Sequence, residues 1–154
     1  MSFFDLEENM KEIIVKEFDA LNIHELYELM KARVDVFVVE QTCPYPELDN
    51  VDQDAIHVYI KENNEIKAYS RVFIREGSTI QIGRVLSLER QKHYGYEVMS
   101  KAIDVAKEKY KAKCIYIEAQ CYAIGFYEKI GFKIISDSFL EDNIPHVKMI
   151  LDCN

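Results

Sequence analysis

The 154 residues, 49% of them hydrophobic, suffice for a single domain over 1–154 with a sizeable core and no staples. Nineteen basic residues against twenty-seven acidic ones leave a net charge of −8, which argues against a nucleic-acid partner and favours cationic or amine-bearing molecules. Cys43, Cys114, Cys121 and Cys153 form no CxxC pair and no Cys/His spacing of a zinc site, so they read as reduced thiols of a cytoplasmic protein without a metal.

The opening MSFFDLEENMKE lacks a basic n-region and a long apolar run, which argues against a signal peptide; residues 1–11 read as an N-terminal extension. No later window reaches the length of a membrane span. Ile13, Val15 and Phe18 predict a first strand. Asn22 as N-cap and Glu25 three residues on form a capping box, which starts a helix near Ile23. Leu26, Met30, Val34 and Phe37 fall on one face as core, and the run ends near Glu40, ahead of Pro44 and Pro46. After a loop over 40–54, AIHVYIKE and EIKAYSRVFIRE flank Asn63-Asn64, an antiparallel hairpin whose turn residues tolerate positive φ.

Gly77-Ser78 turns the chain into a third strand over 79–88, in which the isolated Gly83 marks a bulge or a close approach. A helix over Tyr94–Tyr110 turns Val98, Met99, Ala102, Ile103 and Ala106 inward, with Lys107, Lys109 and Lys111 complementing its C-terminal dipole. CIYIEAQ is a buried strand, 122–130 a short helix stopped by Gly131, and strands near 132–136 and 145–151 complete a mixed α+β sheet. The hairpin and the tail 144–151 offer edges through which a homodimer would pair.

The functional signal is strongest at residues 79–106, where a strand runs through a basic loop into an amphipathic helix. The free N–H groups and positive dipole end of a helix N-terminus attract anions, and Arg90, Lys92 and His93 add side-chain donors there. The loop 40–54 carries Glu40, Glu47, Asp49, Asp52 and Asp54 and no lysine or arginine. Two readings of it stand open. It is an acidic wall for an ammonium group, flanked by Tyr45 for cation–π contact and closed by Arg33, Arg71 and His57, or its carboxylates pair with Arg33, Arg71 and Arg84 to hold the loop. DNVDQD lacks the central glycine and distal glutamate of a calcium loop, and nothing basic flanks Cys43, which is read as packed.

The order β-α-β-β-β-α-β-α-β-β, with the basic loop in the middle and GFYEKIGF after it, resembles the GNAT superfamily of N-acetyltransferases, in its ElaA-like branch. The matching segments are RVDVFVVEQTCPYPELDNVDQDAIH (33–57), AYSRV (68–72), IGRV (82–85), RQKHYGYEVMSK (90–101), AQCYAIGFYEKIGF (119–132) and EDNIPHVKM (141–149). The resemblance implies the GNAT acyl-CoA N-acyltransferase fold, a mostly antiparallel mixed sheet flanked by helices. It also implies transfer of acetyl from acetyl-CoA to a primary amine by direct attack, without an acyl-enzyme. A non-catalytic acyl-CoA-binding module is the alternative.

By the same resemblance, the N–H groups of Gln91, Lys92, His93, Tyr94, Gly95 and Tyr96 hold the diphosphate beside Arg90, and pantetheine lies along Val85, Leu86 and Ser87. Gln120 and Phe126 complete the cofactor contacts, with Gln120 standing where many members have asparagine. His93 replaces the first glycine of the Arg/Gln-x-x-Gly-x-Gly/Ala loop, so either its backbone is right-handed or affinity falls. A backbone N–H near Val85 and Leu86 would stabilise the oxyanion. Tyr127, at the tyrosine of FYEKIGF, would protonate the departing thiolate; the plainer reading is a packed tyrosine. The acceptor ammonium needs a base, for which Glu40 and His146 rank level and Glu118, beside the reacting strand, third.

Overall fold

A computed structural model describes residues 10–88 and 93–154. Eight strands form one sheet in the order β1-β2-β3-β4-β5-β8-β6, with β7 also paired to β8. They are β1 (Lys11–Glu17), β2 (Ile56–Glu62), β3 (Glu65–Glu76), β4 (Thr79–Ser87), β5 (Cys114–Gln120), β6 (Lys133–Ile134), β7 (Phe139–Glu141) and β8 (Ile144–Asp152). The helices are α1 (Ile23–Arg33), α2 (Tyr94–Tyr110) and α3 (Ile124–Ile130). Every strand pair is antiparallel except β4–β5.

Local chemistry explains most boundaries. Asn22 Oδ1 accepts from the Glu25 N–H at 2.8 Å while Glu25 Oε1 accepts from the Asn22 N–H at 2.9 Å, closing the capping box. Asn63 and Asn64 both take positive φ, at 54° and 61°, as a tight hairpin of right-twisted strands requires. Gly131 ends α3 at φ 120° and returns its N–H to the Tyr127 and Glu128 carbonyls. Lys11 already pairs with Glu62, so β1 begins inside the expected extension, of which residues 1–9 lie outside the described residues.

The core has two faces. Val58, Ile60, Val72, Ile80 and Ile82 meet Val98, Met99, Ala102 and Ala106 of α2, together with Ile115, Ile117 and Met149. On the other face Leu29 packs with Tyr59, Ile66, Tyr69 and Leu86. The face expected of α1 is corrected here: Val34 is exposed, and the deepest positions are Leu29 and Arg33, one turn apart. An arginine occupies a core position because two carboxylates meet it there. Beyond Arg33 the helix widens into a π-helical stretch, Val34–Glu40.

Two more expectations are revised. Gly83 stays in register opposite Arg71, whereas Arg84 and Val85 together face Ser70. Arg84, at φ 52°, therefore makes the bulge that Gly83 was expected to mark. The strand expected at 132–136 shrinks to Lys133–Ile134, and a strand not expected, β7, pairs with β8 across an Asp142-Asn143 turn in which both residues have positive φ.

Candidate active site

β4 and β5 run parallel for only three paired residues, Thr79–Gln81 against Cys114–Tyr116, and then part. The bulge at Arg84 and Val85 bends β4 away just beyond that point. The opening is a cleft of about 1020 Å³, walled by both strands, the N-terminus of α2, the π-helical stretch, α3 and the β7–β8 turn.

At one end of the cleft lie Val85, Leu86, Ser87, His93, Gly95 and Tyr96. Glu97 donates its N–H to the His93 carbonyl at 3.1 Å, and the N–H groups of Gly95 and Tyr96, in the first turn ahead of it, are unclaimed by the helix. A β-carbon on Gly95 would stand 3.4 Å from the Ser87 Cβ and 3.7 Å from the Phe126 ring, which is how closely this turn approaches β4 and α3. These unclaimed donors beside a narrow apolar wall fit a phosphate-bearing chain such as CoA. His93 has φ 61° and ψ 17°, the left-handed region that favours glycine, so the right-handed alternative does not hold. The Tyr94 ring is core and its hydroxyl donates to Glu62, so its side chain points away from the cleft. Arg90, Gln91 and Lys92 lie outside the described residues.

In the middle stand Tyr127 and Gln120. Tyr127 is 8% exposed, packs edge-on against Phe126 and Phe132, and has no hydrogen-bond partner among the described residues. Burial, with the nearby Tyr122, pushes its hydroxyl above the usual phenol range, keeping it protonated at neutral pH. Gln120 Nε2 donates to Gln41 Oε1 across the cleft at 3.3 Å.

At the far end are Glu40, Glu118, Glu141, Asp142 and His146. The Tyr116 hydroxyl donates to Glu118 Oε1 at 3.1 Å, and the Glu118 charge, after burial, helps push that phenol up to about 12. His146 stacks on Phe139 with centroids 6.0 Å apart, and its Nδ1–H donates to the Ile144 carbonyl at 2.7 Å. A carbonyl only accepts, so Nδ1 carries a proton, and Nε2 lies 3.7 Å from Glu141 Oε2.

The acidic loop forms an ion-pair network, which corrects three expected acceptor contacts. Arg33 donates from Nε to Glu47 Oε1 and from Nη1 to Asp52 Oδ1, both at 2.6 Å and both fully buried. His57, at 0% exposure, accepts from the Tyr69 hydroxyl at Nδ1 and donates from Nε2 to the Asp52 carbonyl; burial pushes its pKa down. Arg33, Glu47 and His57 therefore stand behind the cleft wall. Arg71 and Tyr45 do line it, but Arg71 is committed to Asp49 at 2.6 Å and Asp52 at 3.1 Å, while Arg84 covers the Tyr45 ring, whose hydroxyl donates to Glu47. Burial opposes ionisation of Asp49, yet Arg71 and Arg84 outweigh it and hold that carboxyl at about 2. Cys43 is packed, donating its thiol hydrogen to the Asp142 carbonyl. Among the described residues no three metal-ligating side chains gather, and no helix is long and apolar enough to cross a membrane.

Residues 25–153 match the family model of the acetyltransferase (GNAT) domain. The chain belongs to the GNAT acetyltransferase family. A UPF0039 protein of Schizosaccharomyces pombe is 39% identical over 145 residues, 92% of this chain and 97% of its own length. Protein ElaA of Escherichia coli is 35% identical over 135 residues, 84% of this chain and 88% of its own. The ElaA crystal structure superposes with a TM-score of 0.87 at 32% identity, covering 93% of this chain and all of that one. An acyl-CoA N-acyltransferase from Pseudomonas aeruginosa gives 0.85 at 32% identity, covering 92% and 99%.

The protein is thus an acyltransferase of this family, with the ElaA-like resemblance and the fold expected from sequence. Acyl transfer from a CoA donor is the activity the family supports. A cleft residue that sequence reading did not single out is Glu141, named only as the start of EDNIPHVKM. Asp142-Asn143 between two apolar runs is the signal that finds it, by the same rule that finds the Asn63-Asn64 hairpin.

Proposed function

We propose that the enzyme moves an acetyl group from acetyl-CoA to a primary amine of a small molecule or peptide, by direct attack in a ternary complex. The observation that carries this reading is Tyr127: a side chain more than nine-tenths buried whose hydroxyl has no hydrogen-bond partner among the described residues, held protonated, and lying on the cleft where β4 and β5 part. A buried polar group is normally satisfied, and one kept free on a cleft suits a proton donor whose partner arrives with substrate.

In this reading the α2 N-terminus holds the diphosphate through the N–H groups of Gly95 and Tyr96, and Val85 to Ser87 support the pantetheine arm. The attacking nitrogen forms the C–N bond, the C–S bond breaks, and Tyr127 gives its proton to the thiolate. The proton that nitrogen loses returns to the phenol. Main-chain donors at the β4 bulge face the developing oxyanion. Glu40, Glu118 and His146 all border the acceptor end, as a base for the incoming ammonium must.

The test is thiol release from acetyl-CoA against a panel of polyamines, amino acids, aminoglycosides and lysine peptides. Turnover on at least one amine, with kcat reduced about 100-fold or more in Tyr127→Phe, is expected. An unchanged kcat in that variant removes Tyr127 from the chemistry, and no release across the panel removes the reading.

A further inference from the structure

In the sheet, His146 of β8 stands between Gln120 of β5 and Phe139 of β7, while its neighbours Val147 and Met149 belong to the core that α2 covers. Side chains alternate along a strand, and His146 and Val147 therefore project from opposite faces of the sheet. Tyr127 belongs to the same core as Val147, yet it lines the cleft together with His146. Imidazole and phenol reach the cleft from opposite faces.

Two contacts fix the imidazole, which is only 8% exposed: it stacks on Phe139 with centroids 6.0 Å apart and donates from Nδ1 to the Ile144 carbonyl at 2.7 Å. The proton held on Nδ1 makes Nε2 the accepting nitrogen of the neutral ring. Nε2 makes no hydrogen bond among the described residues, and Glu141 Oε2 stands off at 3.7 Å. A buried polar atom is normally satisfied, so a ring gripped through one nitrogen and left open on a cleft through the other suits a ligand that brings a proton. The carboxylates nearby are placed differently. Glu118 already accepts from the Tyr116 hydroxyl at 3.1 Å and lies 3.7 Å from Arg75, and Glu40 is exposed to water that competes for it. As a side-chain type, imidazole also takes up a proton more readily than carboxylate.

We infer that His146 is the base that takes the acceptor's ammonium proton, through Nε2, an inference that rests on the amine-acetylating reading above. R–NH3+ gives one proton to Nε2, and the neutral amine then attacks the thioester carbon. As the C–N bond forms and the C–S bond breaks, Tyr127 protonates the thiolate and recovers a proton from the nitrogen. His146 passes its own to water. Of the three ammonium protons, one leaves through His146, one reaches sulfur by way of Tyr127, and one stays on the amide. The two-sided placement keeps the transfers apart, with the amine met on one face of the sheet and the thiolate on the other. The ionisable groups around the imidazole are Glu141 on β7, Asp142 in the turn, Tyr116 and Glu118 on β5, Lys148 on β8 and Glu40 at the end of the π-helical stretch.

Two measurements on the full chain test this. Nitrogen NMR of histidine-labelled protein is expected to show neutral His146 with its proton on Nδ1 and none on Nε2. With the best amine of the panel, kcat/KM of His146→Gln is expected to lie about 100-fold below the parent at pH 7 and within about threefold of it at pH 10, where an alkylamine of pKa ~10 arrives largely neutral without help. His146→Asn is expected to repeat that convergence.

An Nε2–H tautomer overturns the inference whatever the activity. A gap between variant and parent that holds constant with pH marks a merely structural residue and overturns it as well, as does no gap at all; both leave the acetyltransferase reading intact. A converging gap in Glu40→Gln or Glu118→Gln but not in His146→Gln gives the role to that carboxylate. A parent that turns over no amine sinks the acetyltransferase reading, and the inference with it.

Discussion

Gln120 at the end of β5 reaches across the cleft to Gln41, just past the π-helical stretch, with 3.3 Å between Nε2 and Oε1. The two residues are 79 positions apart in sequence and belong to opposite walls. Their bond ties the π-helical wall to β5. Replacing Gln41 by Ala removes a half-buried amide bond worth about 1 kcal/mol, a small fraction of total stability. The expected outcome is a raised KM for the amine with little change in the KM for acetyl-CoA, read from initial rates with each substrate varied in turn.

Arg33 makes the opposite case, a buried cation on which a whole loop depends. Arg33→Met strands Glu47 and Asp52 without their nearest partner, and loss of one member of a buried pair costs about 3–5 kcal/mol. Urea unfolding is expected to show that loss, and Arg33→Lys to recover little of it. A lysine cannot supply the forked geometry that donates from Nε to Glu47 and from Nη1 to Asp52 at once.

The same network makes the fold acid-labile in two stages. His57 is held neutral, its folded pKa lying below the unfolded value of about 6.5, so the unfolded chain takes up the proton first and stability falls as pH drops through that value. Asp49 and Asp52 have folded pKa values depressed below the unfolded value of about 3.9, so the stability they contribute is present above that pH and is lost as pH falls further, for Asp49 down to about 2. Thermal melts between pH 8 and pH 3 are expected to show both declines, and His57→Gln to remove the first.

His93 carries a β-carbon in a left-handed conformation at the N-terminus of α2, on the cleft. Non-glycine residues held there store roughly 1–3 kcal/mol of strain, less for small polar and imidazole side chains. His93→Gly is expected to raise the melting temperature and to tighten acetyl-CoA several-fold by calorimetry. Weaker binding in that variant would show that the imidazole itself holds the ligand.

The sequence made the elements legible wherever a local rule decided them. The Asn22/Glu25 box, the Asn63-Asn64 turn and the Tyr94–Tyr110 periodicity each depend on residues within one turn of one another. The strand and helix that border one end of the cleft, β4 and α2, were legible for the same reason. What escaped was long-range. Arg33 reads as a surface cation until Glu47 and Asp52, 14 and 19 residues on, fold back upon it. Glu141 reads as one more surface acid until β7 and β8 carry it to the cleft that Glu118, 23 residues earlier, also lines.

The parting of β4 from β5 also has a mechanical side. The two halves of the sheet are joined in the backbone by three residue pairs, and beyond Gln81 they are bridged mainly by α2 and the core beneath it. Such a seam divides a domain into cooperative units that open at different free energies. Amide exchange of the ligand-free protein is expected to be faster at Ile117 and Gln120 than at Val58 and Ile60, and a thioester laid along the seam would bind the halves into one unit.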